Sequence, residues 1–146
     1  MMGDVQDFIR RFEKIVERRG ISIGHAEHGR NSVEVSGQAS GLLSIHVSNV
    51  EKGFWGVAGN VLARFRKRRL PWALVLLHGS SDHGFLISET VAEGLIRSEA
   101  WTRQEKDGAH FKVNPPHGLQ GSFEFRSIEE VFGMLQVLWP PDGSKE

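Results

Sequence analysis

The segment Gly41 to Leu77, GLLSIHVSNVEKGFWGVAGNVLARFRKRRLPWALVLL, carries most of the architecture. Leu43, Ile45 and Val47 alternate with Ser44, His46 and Ser48, the period-two pattern of a strand with one apolar face, which we place at Leu42 to Val50. Gly53-Phe54-Trp55-Gly56 then reads as a turn that packs a helix start onto the sheet. From there Ala58, Val61, Leu62 and Phe65 fall on one helical stripe, and Arg64, Arg66, Lys67, Arg68 and Arg69 crowd its end before Pro71 terminates it. Trp72 to Leu77 is apolar throughout, as expected of a central strand covered on both faces.

Before this block, Val5, Phe8, Phe12, Ile15 and Val16 define an amphipathic helix that stops at Gly20, with Arg10, Arg11, Lys14, Arg18 and Arg19 over its other sides. Ile21-Ser22-Ile23 alternates as a strand should, and Val33 and Val35 face away from Ser32, Glu34 and Ser36 in the next one. A symmetric hairpin through Gly37 to Gly41 would put Glu34 across from Ser44 and one diagonal step from His46. After the block, Phe85 to Ile87 resumes extended structure. Ser88 and Thr90 are both N-cap candidates for a short helix. Asp107-Gly108 marks a peripheral hairpin or extended excursion, and Ser127-Ile128-Glu129-Glu130 is a capping box opening a last helix that Pro140-Pro141 ends.

Composition bounds the function. The 146 residues, 39% apolar and 25% charged, make one globular domain, residues 1–139, with 140–146 as a tail. With no cysteine there is no disulfide, thiolate metal site or cysteine nucleophile, which suits a cytoplasmic protein. No apolar run approaches the roughly 20 residues a membrane span needs, and Met1-Met2-Gly3-Asp4 runs straight into charged helical sequence, so neither membrane nor targeting segment is expected. Lys plus Arg and Asp plus Glu balance at 18 each, so attraction to nucleic acid must come from local clustering.

The expected fold class is therefore α/β (α+β), a single three-layer domain with a central mixed sheet flanked by helices. The order helix, three-strand meander, helix, strand resembles the restriction-endonuclease-like PD-(D/E)XK superfamily, over about Asp4 to Ile96. That resemblance implies a nucleic-acid-handling protein with carboxylates holding Mg²⁺ or Mn²⁺ and a lysine helping to activate water. The second strand offers Glu34, whereas Ser44-Ile45-His46 stands where acidic-x-Lys would be. His46 is a candidate substitute base, and Glu13 or Glu17 a candidate second carboxylate, so the site reads as degenerate rather than live.

Other clusters are weaker. His25 and His28 lack the further ligands of a tetrahedral site, and His78 and His83 bracket Asp82 with no placed nucleophile. Gly53, Gly56 and Gly59 match no phosphate loop or dinucleotide fingerprint, so no nucleotide cofactor is expected. The basic run Arg64 to Arg69 is the best partner signal, and with the cations of the first helix it would flank a phosphate backbone if the fold brought the two together. Trp55, Trp101 and Trp139 read as packing anchors, with a base-stacking platform as the other use of Phe54-Trp55. The competing reading is a non-catalytic domain that binds another protein or a second copy of itself.

Overall fold

The computed structural model describes residues 3–25, 31–37, 40–48, 51–104 and 110–139. His28, the Asp107-Gly108 turn, Pro140-Pro141 and the tail lie outside them. The elements are α1 (Asp4–Glu17), β1 (Ser22–His25), β2 (Ser32–Ser36), β3 (Gly41–Ser48), β4 (Trp55–Ala58), α2 (Gly59–Arg68), β5 (Trp72–His78), β6 (Gly84–Ser88), α3 (Glu89–Arg97), β7 (Thr102–Gln104), β8 (His110–Val113), β9 (Phe123–Phe125) and α4 (Ile128–Leu138). Among the described residues no helix is long and apolar enough to cross a membrane.

Six strands form a mixed sheet in the order β1-β2-β3-β5-β6-β9. Among the described residues only β3 and β5 pair in parallel, because the chain between them leaves the sheet through β4 and α2 and returns at the same end. The apolar run of β5 is buried from Trp72 to Leu77, and its alternate residues enter different cores. Ala73, Val75 and Leu77 pack with Phe8 and Phe12 of α1 and with Val131 and Leu135 of α4. Trp72, Leu74 and Leu76 pack instead with Leu62 and Phe65 of α2, Leu95 of α3 and Phe111 of β8. The result is three layers, with helices α1 and α4 on one face of the sheet and α2, α3 and a small sheet on the other.

Local chemistry sets the helix limits. In α1 the buried face is Val5, Phe8, Ile9, Phe12 and Val16, and Phe8 stacks on Phe12 with ring centroids 5.6 Å apart. Each such aromatic contributes about 1.5–3 kcal/mol by leaving water. Ser88 caps α3 by accepting from the Val91 amide, so of the two candidates the cap is Ser88 rather than Thr90. Ser127 caps α4 by accepting from the Glu130 amide, while the Glu130 carboxylate turns back to the Arg126 amide.

Three expectations are corrected. Trp55 to Ala58 is a strand, not the start of a helix: Trp55 pairs with Val113 and Val57 with Phe111, joining a second antiparallel sheet of order β4-β8-β7. The excursion after Trp101 is therefore not peripheral, since its hairpin of β7 and β8 completes the layer over β5 and Trp101 itself is buried. Val47, expected to point inward, is 40% exposed at the end of β3.

Candidate functional site

The β2–β3 hairpin closes two positions tighter than symmetry through the glycines suggests. Glu34 pairs with Leu42, and Ser44 with Ser32. Ser40 braces the turn by exchanging hydrogen bonds with the backbone of Gly37 at 3.3 and 3.4 Å. A slide of two keeps every side chain on its face and changes its partner. Glu34 and His46 are thus four register positions apart, about 13 Å along the strand at roughly 3.3 Å per residue, and do not form one site.

Each takes its own partner. Glu34 Oε1 accepts from Nη2 of Arg68 at 2.8 Å, linking β2 to the last turn of α2. His46 Nε2 is 3.0 Å from Oγ of Ser44, two residues earlier on the same face. Burial pushes His46 down to about 4, and its hydrogen bond to the Gly56 backbone offsets that only partly. The ring is therefore neutral at pH 7 and a weak base there. Ser44 is 2% exposed, so the pair has a nucleophile-and-base distance without an approach for substrate.

Helical geometry sorts the basic run. At about 100° per residue, Arg66 and Arg68 stand roughly 200° apart on the two flanks of α2, with Leu62 and Phe65 buried between them. Arg66 reaches sideways to α3, where Nε and Nη2 donate to the two oxygens of Glu93 at 2.8 and 2.7 Å. This fork raises the Arg66 pKa and holds the Glu93 carboxyl below its usual range. Arg68 reaches the other way to Glu34. Arg64 and Lys67 point outward and, with Arg69, form no ion pair among the described residues. Arg69 itself takes a left-handed conformation (φ 58°, ψ 23°), which turns the chain out of the helix toward Pro71.

The cations of α1 are elsewhere. Because α1 and α2 pack on opposite faces of the sheet, the two basic groups do not flank one phosphate backbone. Several are also committed: Arg10 pairs with Asp7 at 3.0 Å, Arg11 with Asp82 at 2.6 Å, and Arg19 lies 5.5 Å from the Phe132 ring centroid. The Ser81 hydroxyl, donating to Asp7 at 2.5 Å, and then Arg10 hold the Asp7 carboxyl below its usual value. Glu13 and Glu17 sit on α1 as well, with the sheet between them and Glu34.

Across the sheet end, His83 bonds Glu124 of β9 at 2.8 Å, and His78 packs edge-on against Trp55. Asp82 turns to Arg11 of α1. Among the described residues no three His, Asp or Glu side chains are grouped to hold a metal ion. The acidic partners Glu34 and Glu93 were missed as counter-ions in the sequence. The signal was available in part, since flank positions 66 and 68 of an amphipathic helix must lean toward neighbouring elements. No protein-family model matches the chain, and no curated protein gives a significant match.

Proposed function

We propose that this chain is a restriction-endonuclease-like domain that binds nucleic acid through phosphate contacts from α2, and that the cleavage site of that superfamily is degenerate in it. The order α1, the β1-β2-β3 meander, α2 and β5 supports the kinship, with the returning strand β5 parallel to β3 and the extra strand β4 inserted ahead of α2. The observation that carries the binding reading is the outward stripe of Arg64 and Lys67, continued by Arg69, whose charges have no counter-ion among the described residues. Phosphates reward such uncompensated cations, because each contact releases condensed counterions.

The donor set does not fit a Mg²⁺ or Mn²⁺ site. A hard divalent cation takes several oxygen ligands. Here the one carboxylate on β2 is engaged by Arg68, and β3 supplies a buried Ser44 bonded to a half-buried His46 beyond its reach. No cleavage step is therefore assigned to Glu34, His46, Glu13 or Glu17.

The test is binding of labelled single- and double-stranded DNA and RNA across a salt series, with Mn²⁺ present and the label checked for cutting. Two or three phosphate contacts predict a slope of log affinity against log salt of about −2 to −3 on duplex DNA, with the label intact. Absence of binding at low salt refutes the reading, and salt-tolerant self-association would favour the protein-interaction domain instead.

A further inference from the structure

We infer that Glu34 is an intramolecular competitor of phosphate: it occupies Arg68, the fourth member of the α2 stripe, and a bound polyanion has to overcome it. The inference rests on the nucleic-acid reading above. Arg68 lies one helical turn beyond Arg64 and next to Lys67, so these three cations share one stripe. Arg66, on the far flank, is the contrasting case. Its guanidinium meets Glu93 with two parallel hydrogen bonds, a geometry that fixes α2 to α3. Arg68 meets Glu34 with one, between side chains 36% and 31% exposed, so solvent or a ligand reaches both partners.

The consequence follows from charge. A phosphate that approaches Arg68 finds its guanidinium partly neutralised and a carboxylate beside it. Either Arg68 leaves Glu34 for the phosphate or the phosphate docks against Arg64 and Lys67 alone. In both cases the carboxylate weakens binding, and removing its charge strengthens it. A catalytic Glu34 predicts the opposite behaviour, with cleavage lost and affinity unimproved when it is neutralised.

The experiment uses the full chain with a labelled DNA duplex and the corresponding single strand, titrated over a salt series in Mn²⁺. Glu34→Gln and Glu34→Ser each remove the charge, and thermal unfolding establishes that both remain folded. Expected are an affinity gain of about 3- to 10-fold at low salt and, on duplex, a salt slope steeper by about 0.9, the increment for one added phosphate contact. Combining Glu34→Gln with Arg68→Ala should abolish the gain. Unchanged or weaker binding by both Glu34 variants, while Arg64→Ala and Lys67→Ala still reduce affinity, overturns the competitor and leaves the nucleic-acid reading standing. Loss of a cutting activity in Glu34→Gln also overturns it. No salt-sensitive binding by the wild type or any variant removes both.

Discussion

Trp139 closes directly over Gly41. A Cβ at position 41 would come 2.7 Å from Cδ2 of that indole and 2.8 Å from the Pro71 carbonyl oxygen. The contact joins the end of α4 to the start of β3, and Trp139 is 3% exposed in the core shared with α1. Glycine is needed here for the space rather than for its backbone freedom. Gly41→Ala should cost about 1–3 kcal/mol, the range for overpacking a well-filled site. Chemical denaturation measures it, and Trp139→Leu in the same chain should recover part of the loss if the indole is the main obstruction.

Trp55 is a packing anchor rather than a stacking platform. It is 1% exposed, and its Nε1 donates to the Leu77 carbonyl at 2.8 Å, tying β4 to the end of β5. Trp55→Phe keeps a ring but leaves that carbonyl short of a donor, at about 1–3 kcal/mol. The loss should appear in the unfolding free energy with DNA affinity unchanged. Weaker binding at undiminished stability would return the indole to the bases.

What the sequence revealed and what it hid divide along local and non-local physics. The apolar run of β5, the Ser127 cap and the amphipathic face of α1 were legible because each is set by neighbours in the chain. The β4 strand was not: Ala58 has helical spacing to Val61, Leu62 and Phe65 of α2, and only pairing with β8, far along the chain, makes Trp55 to Ala58 extended. The Glu34–Ser44 register failed for a different reason, because a slide of two preserves the alternation that sequence can read. The separation of the two basic helices was equally hidden, since amphipathicity tells a helix which side to bury and not which face of the sheet to cover.

Arg66 and Arg64 should behave differently although they are two positions apart. Arg66→Ala breaks the fork to Glu93, and a double-mutant cycle with Glu93→Ala should give a coupling of about 0.5–1 kcal/mol, modest because Arg66 is 44% exposed. Since the Glu93 carboxyl is held below its usual pKa, that stabilisation is present at neutral pH and fades as pH falls below the ordinary glutamate value. Arg64→Ala should leave stability within about 0.5 kcal/mol and instead reduce the salt slope of DNA binding by about 0.9. Equal effects of the two substitutions on binding would mean that the flank arginine also meets phosphate.

His46 makes the fold sensitive to acid. Its folded pKa, pushed down to about 4 by burial, lies below the ordinary histidine value of 6.5, so the unfolded chain binds more protons between the two. The stability is complete above pH 6.5 and is lost as pH falls toward 4. Each unit of depression corresponds to about 1.4 kcal/mol, and because the ring is only half-buried the loss should be on the order of 2 kcal/mol. Protonation would also reverse the contact with Ser44, since a protonated Nε2 can only donate to the hydroxyl oxygen. His46→Gln keeps a polar side chain that does not titrate, so its unfolding free energy should be lower than wild type at pH 7 and flatter from pH 6.5 to 4. Parallel pH profiles for the two proteins would assign the acid sensitivity to other groups, with Glu93, Asp7 and Glu124 as the carboxylates whose lowered values act in the same direction at lower pH.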